Sequence, residues 1–294
     1  MTTIDVKTKR VIEVSGPGSN HWVGDGFPVR NMFPSNGIDR LVDPFLMLDY
    51  AGPKYFAPTK KHQGVDEHPH RGFETVTIAY QGAVEHRDSG GHSGVIFPGD
   101  VQWMTAASGV VHEEKHEHEF GEKGGTFEMV QLWVNLPAKY KMSKPKYQAI
   151  TKEQIPSVKL GAESYARVIA GELNSARGPA QTFTPVNVFD VRAKAGERFE
   201  IALPAGQNAA VVLLKGKVTL NGETRMESDA LIAVLDPDGE RVSIGAKEDS
   251  TLLVLSGEPI NEPVASYGPF VMNTREELEQ AVDDYRKGKM GRLN

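Results

Sequence analysis

Residues 68–76 read His-Pro-His-Arg-Gly-Phe-Glu-Thr-Val, and this stretch decides how the rest of the chain is interpreted. The aromatic and β-branched residues after the histidines are typical of a strand. Because residues i and i+2 of a strand face the same side, His68 and His70 are expected to point into one space. His112 and Glu114 repeat this spacing further along the chain. Two such strands can build a metal site of three imidazoles and one carboxylate, and we predict these four residues as its ligands.

The donor set allows several metals. Imidazole nitrogen and carboxylate oxygen suit iron, manganese, nickel, copper or zinc, and the ligands alone do not choose among them. Four protein ligands on an iron-like centre leave positions for water, dioxygen or substrate, whereas a closed structural zinc site does not. All nine histidines lie between His21 and His118, so the predicted site belongs to the first half of the chain.

The letters around His112 also allow a different interpretation. Residues 112–116 read His-Glu-Glu-Lys-His, which is the HExxH pattern of zinc proteases. That interpretation requires a helix, with His112 and His116 as ligands and Glu113 as general base. The glycine and two valines before His112 favour a strand instead. In the strand interpretation, His116 and His118 are expected at the surface or at the rim of the site.

The remaining candidates have plainer interpretations. Glu74 is either a partner behind the metal ligands or a charged residue that faces outward, and the sequence leaves both open. Trp103 and Trp133 are expected in the core. Four further histidines are expected as turn, strand or pocket residues rather than ligands: His21, His62, His86 and His92.

Composition narrows the class of protein. A chain of 294 residues with 39% hydrophobic residues is expected to form two domains. The absence of cysteine excludes disulfides, thiolate zinc sites and a cysteine nucleophile. A formal net charge of −6 argues against direct nucleic-acid binding. No signal peptide or membrane-length apolar run is evident, so we expect a cytoplasmic protein without membrane contact.

The hydrophobic pattern indicates strands in both halves of the chain. Short alternating runs separated by glycine-rich turns occupy residues 68–136, which is typical of a sandwich or barrel. The second half repeats this pattern and contains the hairpin signal Asn221-Gly222. The sequence therefore predicts an all-β protein with a duplicated barrel.

We predict three segments in linear order. They are an N-terminal metal-binding domain over residues 1–136, a solvated lysine-containing linker over 137–146, and a C-terminal domain without metal over 147–294. The last domain ends in a helix at 274–287. Thr274 and Glu277 have the spacing of a capping box at its start, and apolar residues recur along one face.

Several blocks of the sequence resemble the pirin family, a branch of the cupin superfamily. They are residues 43–46, 68–76, 98–106, 131–136 and 268–274. The resemblance implies a bicupin: two jelly-roll-like β-barrels in tandem, with a short C-terminal helix that packs back towards the N-terminal half. It also implies one mononuclear Fe(II) in the N-terminal barrel only, on His68, His70, His112 and Glu114. Many cupins take their carboxylate ligand from the place that Glu74 occupies, whereas pirins take it from the second motif.

The resemblance also implies two functions. Bacterial pirins similar to this chain act as quercetin 2,3-dioxygenases, with a flavonol or similar enolic substrate and O2. In such an enzyme iron binds the 3-hydroxyl, Glu114 accepts its proton as general base, and the central ring opens with loss of carbon monoxide. Other pirins are iron-bound redox-sensing regulators with a protein partner, either a transcription factor or a metabolic enzyme. A third interpretation is a β protein whose iron has a mainly structural role.

Overall fold

The computed structural model describes residues 7–34 and 37–293. Strands dominate this part of the chain. The elements of its first half are β1 (Val11–Ser15), β2 (Asn20–Val23), β3 (Phe27–Phe33), a 3-10 turn (Asp39–Leu41), β4 (Phe45–Phe56), β5 (Gly64–His70), β6 (Phe73–Gln81), β7 (Val84–Asp88), β8 (Ser93–Ile96), β9 (Val101–Thr105), β10 (Val110–His116), α1 (His118–Lys123), β11 (Gly125–Asn135), α2 (Ala138–Lys141) and β12 (Lys146–Ile150).

The second half continues in the same manner and closes with a helix. Its elements are β13 (Ser157–Lys159), β14 (Tyr165–Ala170), β15 (Glu172–Leu173), β16 (Ala176–Arg177), β17 (Val186–Ala193), β18 (Arg198–Ala202), β19 (Asn208–Lys215), β20 (Val218–Leu220), β21 (Thr224–Met226), β22 (Leu231–Leu235), β23 (Arg241–Ala246), β24 (Ser250–Gly257), β25 (Ala265–Tyr267), β26 (Phe270–Met272) and α3 (Arg275–Arg286).

The strands form the same pair of sheets twice. One set is a seven-stranded sheet in the order β12-β9-β6-β11-β4-β3-β2 with a four-stranded sheet β5-β10-β7-β8. The other is a seven-stranded sheet β1-β22-β19-β24-β17-β14-β13 with a four-stranded sheet β18-β23-β20-β21. Neighbouring strands are antiparallel, so the prediction of an all-β fold with two barrels is confirmed.

The two compact units do not follow the linear order of the chain. The N-terminal barrel unit comprises residues 19–31, 45–152 and 260–293. The C-terminal barrel unit comprises residues 7–18, 32–34, 37–44 and 153–259. This division differs from the predicted one, because β1 pairs with β22 of the C-terminal barrel unit while α3 belongs to the N-terminal barrel unit. Residues 1 and 294, at the ends of the predicted domains, lie outside the described residues.

The C-terminal barrel unit has an apolar interior. Phe189, Val211, Leu213 and Val254 are completely buried and belong to one cluster of apolar side chains drawn from several strands. Alternation along each strand places these residues on one face, which is how the short strands bury a core.

One lysine of the segment predicted as a solvated linker is buried in the N-terminal barrel unit. Residues 137–146 contain α2, and Lys141 is only 2% exposed. Its Nζ donates hydrogen bonds to Gly72 O at 2.8 Å, Asn135 Oδ1 at 2.6 Å and Val271 O at 3.1 Å. Burial lowers the pKa of Lys141 to about 8. Lys139, Lys144 and Lys146 are exposed, as a solvated linker requires. The prediction is wrong at Lys141, because sequence spacing cannot show that three acceptors converge on one lysine.

The C-terminal helix begins with the predicted cap. Thr274 Oγ1 accepts from Glu277 N, and the Glu277 side chain accepts from the Thr274 backbone. Leu278 and Ala281 are buried against Val111 and the strand β26. Within the described ranges, no helix has both the length and the apolar character needed to cross a membrane.

We expect Gly72→Ala to destabilise the protein. Gly72 turns the chain between β5 and β6 at φ +91°, and a Cβ there would lie 1.9 Å from Val271 O. The substitution should lower the free energy of unfolding by more than about 2 kcal/mol in urea titrations. Gly91→Ala is the matched control, because Gly91 has φ +87° but no atom within 4 Å of its Cβ position. Equal costs at the two positions would contradict the packing argument.

Candidate metal centre

The pairing of β5 with β10 brings the histidines together. His68 lies directly opposite His112, and His70 follows two residues after His68 on the same face of β5. The ring centroids are separated by 4.3 Å for His68–His112, 4.8 Å for His68–His70 and 4.9 Å for His70–His112. One ring nitrogen of each residue lies within 4.8 Å of the others. Among the described residues, this is the group of three or more ligand-type side chains that could hold a metal ion.

Two of the imidazoles have an oriented tautomer. His68 Nδ1 lies 2.8 Å from Asp66 O, and His70 Nδ1 lies 3.4 Å from Pro269 O. A carbonyl oxygen can only accept, so each Nδ1 carries the proton and each Nε2 keeps its lone pair. This is the arrangement that metal-binding histidines usually show.

The third imidazole has no partner in the described part of the chain. His112 is completely buried, and neither of its ring nitrogens has a hydrogen bond there. Burial, followed by the neighbouring histidines, holds the pKa of His70 and His112 well below the usual value. Neutral imidazoles are the form that binds metal. The donor set therefore fits a resident divalent metal ion.

Glu114 stands apart from the three histidines. It lies on β10 two residues after His112 and is 6% exposed. Its carboxylate is not part of the three-histidine group, and Thr77 Oγ1 lies 3.2 Å from its Oε1. The structure thus brings three of the four predicted ligands together, and Glu114 as a ligand stays a prediction.

The zinc-protease interpretation is wrong. Residues 112–116 form a strand, in which positions four apart are separated by about 13 Å. His116 is 2% exposed, and its Nε2 lies 2.9 Å from Gly26 O. Its ring packs against Phe56 and Phe127 at 4.6 Å each. The expectation of a surface or rim position for His116 is therefore also wrong.

Comparison with known proteins places this fold and site in a family. The sequence matches the Pirin model over residues 26–134 and the Pirin C-terminal cupin domain over residues 188–291. It is 52% identical to a Pseudomonas aeruginosa protein named "Putative quercetin 2,3-dioxygenase", across 97% of this chain and all of that protein. The chain belongs to the pirin family.

Two further comparisons show how widely this pirin resembles others. An Arabidopsis thaliana pirin-like protein is 38% identical across 91% of this chain and 81% of its own length. A crystal structure of a quercetin 2,3-dioxygenase from Acinetobacter baumannii superposes with a TM-score of 0.94. That protein is 50% identical and covers 98% of this chain and all of its own chain.

Aromatic side chains line the pirin site. Trp133 lies 5.3 Å from His70 and 4.2 Å from Phe73, measured between ring centroids. Trp133 is therefore a half-buried neighbour of the metal ligands and not the core residue that we predicted. Trp103 is completely buried, as predicted. The two residues differ because Trp133 pairs with Thr75, whereas Trp103 pairs with Val76 on the opposite face of β6.

Glu74 faces away from the histidines. Thr77 contacts Glu114, so alternation along β6 places Glu74 on the other face of the sheet. Glu74 is 1% exposed and accepts a hydrogen bond from Thr105 Oγ1 at 2.7 Å. Burial raises its pKa to about 7. It is neither an outward charge nor a contact of the three-histidine group.

A second polar cluster borders the site and was missed in the sequence. His86 is 5.5 Å from His112 and stacks on Tyr147 at 5.1 Å, measured between ring centroids. Asp88 Oδ2 lies 3.5 Å from His86 Nε2, and His92 Nδ1 is 3.1 Å from both Asp88 oxygens. His86 and Asp88 are two residues apart on β7, so their side chains share one face, and this spacing in the sequence could have indicated the cluster.

The C-terminal segment supports the backbone beside His70. Arg71 Nη1 donates a hydrogen bond to Asp284 Oδ2 at 2.9 Å, and Arg71 Nε donates one to Ser108 O at 2.7 Å. Val271 N donates to Arg71 O at 3.0 Å. Bonds from Lys289, as well as Arg71, lower the pKa of Asp284 to about 2, so this carboxylate keeps its charge at ordinary pH.

We expect His70→Ala to abolish stoichiometric binding of Fe(II), measured by anaerobic calorimetry, because it removes one of three converging imidazoles. His116→Ala is the matched control. It should lower the free energy of unfolding, since His116 is buried, yet leave the metal stoichiometry unchanged. Loss of metal from both variants would argue against the assigned site.

Glu74 should make stability depend on pH. Its folded-state pKa of about 7 exceeds the ordinary value of 4.5, so the folded chain retains a proton that the unfolded chain has lost. The free energy of unfolding should therefore fall as pH rises from about 4.5 to 7, by up to about 3 kcal/mol. Glu74→Gln should flatten this part of a urea-titration profile. Glu279→Gln, at an exposed position of α3, should leave the profile unchanged. A wild-type profile that Glu74→Gln does not alter would contradict the assignment.

Proposed function

We propose that this pirin is a metal-dependent dioxygenase of the quercetin 2,3-dioxygenase type. Its substrates would be O2 and a flavonol or similar enolic compound. The observation that carries the proposal is the convergence of three imidazoles, two of which are oriented by backbone carbonyls. The names of the relatives from Pseudomonas and Acinetobacter point to the same reaction.

His68, His70 and His112 would hold the metal, with Glu114 as the proposed fourth ligand. Fe(II) is the metal we propose, and other divalent ions suit the same donors. When bound, the metal would supply Lewis acidity at the substrate hydroxyl and a site for dioxygen chemistry.

Glu114 would act as the general base for the substrate hydroxyl. It is buried, lies on the strand that carries His112, and is within reach of the Thr77 hydroxyl. Thr77 Oγ1 is also 2.6 Å from Gln131 Oε1, so the single hydroxyl proton is shared between two acceptors and the Glu114 carboxylate keeps lone pairs for a substrate proton. A carboxylate held in this way can accept a proton from an enolic oxygen next to it.

Aromatic walls would select a planar substrate. Trp133 and Phe73 lie within 5.3 Å of the His70 ring and have an interplanar angle of 34° to each other. Offset or edge contacts with such rings favour a flat aromatic molecule. They would also keep bulk water from the reacting oxygen.

The test is oxygen uptake with quercetin after anaerobic reconstitution with Fe(II). Glu114→Gln should lower kcat about 10²- to 10⁴-fold, the usual contribution of a general base. Glu113→Gln is the matched control on the same strand, because Glu113 pairs with the exposed Arg87. Its rate should match that of the wild type.

Other outcomes have distinct meanings. Stoichiometric iron without oxygen uptake would overturn the dioxygenase proposal and favour the redox-sensing regulator. Pull-downs in the two iron states would then look for the protein partner. Equal losses from Glu113→Gln and Glu114→Gln would argue against Glu114 as the base.

A further inference from the structure

Gln102 is a buried amide on the face of the sheet that carries the site. It lies on β9 directly opposite Thr77 of β6, and directly opposed residues share a face. Thr77 contacts Glu114, so the Gln102 side chain points into the same interior. Gln102 is 1% exposed.

Neither amide atom of Gln102 has a hydrogen-bond partner among the residues that the structure describes. A buried polar group without a partner costs about 1–3 kcal/mol. Such groups are therefore uncommon and call for a specific explanation. Among the described residues, His112 and the neighbouring His86 also have two such atoms each, and a metal ion would occupy one nitrogen of His112.

The polar neighbours of Gln102 in the same row are satisfied. Thr77 bonds to Gln131, and Gln131 in turn lies opposite Asp49, whose Oδ1 accepts from Asn31 Nδ2 at 2.8 Å. The row runs across four adjacent strands. Among the described residues of this row on the large sheet, the lack of a partner is thus confined to Gln102.

The chemistry of an amide defines what would satisfy it. It presents a donor and an acceptor side by side, and a hydroxyl group can accept from one or donate to the other. A hydroxyl on a flat aromatic ring would match both this amide and the walls formed by Trp133 and Phe73.

We propose that Gln102 recognises a ring hydroxyl of a polyhydroxylated aromatic substrate, distinct from the hydroxyl at the metal. This inference rests on the proposed function and names the substrate class of that site. Gln102 is a specificity-determining residue in it, because it discriminates by substituents remote from the reacting oxygen. A site built to bond a hydroxyl rejects analogues that lack it.

The test compares quercetin with 3-hydroxyflavone, which has the same ring system and only the 3-hydroxyl. Dissociation constants are measured by absorbance titration of the Fe(II)-loaded protein without oxygen. Gln102→Leu should raise the dissociation constant of quercetin about tenfold and that of 3-hydroxyflavone less than about twofold. Gln102→Met has similar length and serves if the leucine variant does not fold.

The control and a stability readout separate recognition from structure. Gln148 lies on β12 opposite Trp103, so it faces the other side of the sheet, and Gln148→Leu should leave both constants unchanged. Gln102→Leu should not lower Tm, since it breaks no hydrogen bond to a described residue. A lowered Tm with equal weakening of both flavonols would assign Gln102 a structural role and overturn the inference.

Two further results would also overturn the inference. One is a wild-type protein that binds the two flavonols equally. The other is a quercetin affinity that Gln102→Leu leaves unchanged, as expected for an amide whose hydrogen bonds are made by water alone. Failure of the proposed function looks different. The predicted binding pattern without oxygen uptake would remove the dioxygenase and keep the recognition. Oxygen uptake by the wild type, with Gln102 variants that bind quercetin as tightly as the wild type, would keep the dioxygenase and remove the recognition by Gln102.

Discussion

The antiparallel pairing of β5 with β10 is the constraint on which the metal site depends. It sets His68 opposite His112. A bulge follows, because β5 has one more residue than β10 between this pair and the next pair, Val65 opposite Glu114. A shift of one residue in this pairing would turn the histidines of one strand to the opposite face and separate the imidazoles. The site is thus a consequence of backbone register first and of side-chain chemistry second.

Register alone does not hold the imidazoles in a usable state. Burial keeps His70 and His112 neutral, and backbone carbonyls fix the tautomers of His68 and His70. One of those carbonyls belongs to Pro269, in a segment about two hundred residues away in sequence. The ion pair between Arg71 and Asp284 connects the end of β5 to the C-terminal helix. The Lys141 ammonium connects the same turn to the C-terminal segment, because it donates to both Gly72 O and Val271 O. The C-terminal residues therefore contribute to the three-histidine site as directly as the strands that carry the histidines.

The two barrels have the same arrangement of sheets but different side chains in their interiors. The C-terminal barrel unit buries a continuous apolar cluster that includes Phe189 and Val211, which is a sufficient core for strands this short. The N-terminal barrel unit instead buries histidines and a glutamate on its four-stranded sheet and an amide on its seven-stranded sheet. Buried polar groups lower stability unless they find partners. The three-histidine group in this barrel is the part of the described structure that is compatible with a metal site.

Sequence by itself determined the all-β class, the duplicated barrel, the capped C-terminal helix and the three histidines, because each follows from a local period or a short motif. A period of two is enough to place His68 and His70 on one face. Tertiary structure alone decided the burial of His116, the place of Trp133 beside His70, the packing of Lys141 and the assignment of β1 and α3 to their barrel units. It also showed that Glu74 faces away from the three histidines and that Gln102 has no hydrogen-bond partner among the described residues. These features depend on which distant strands become neighbours, and spacing along one strand carries no information about its neighbours.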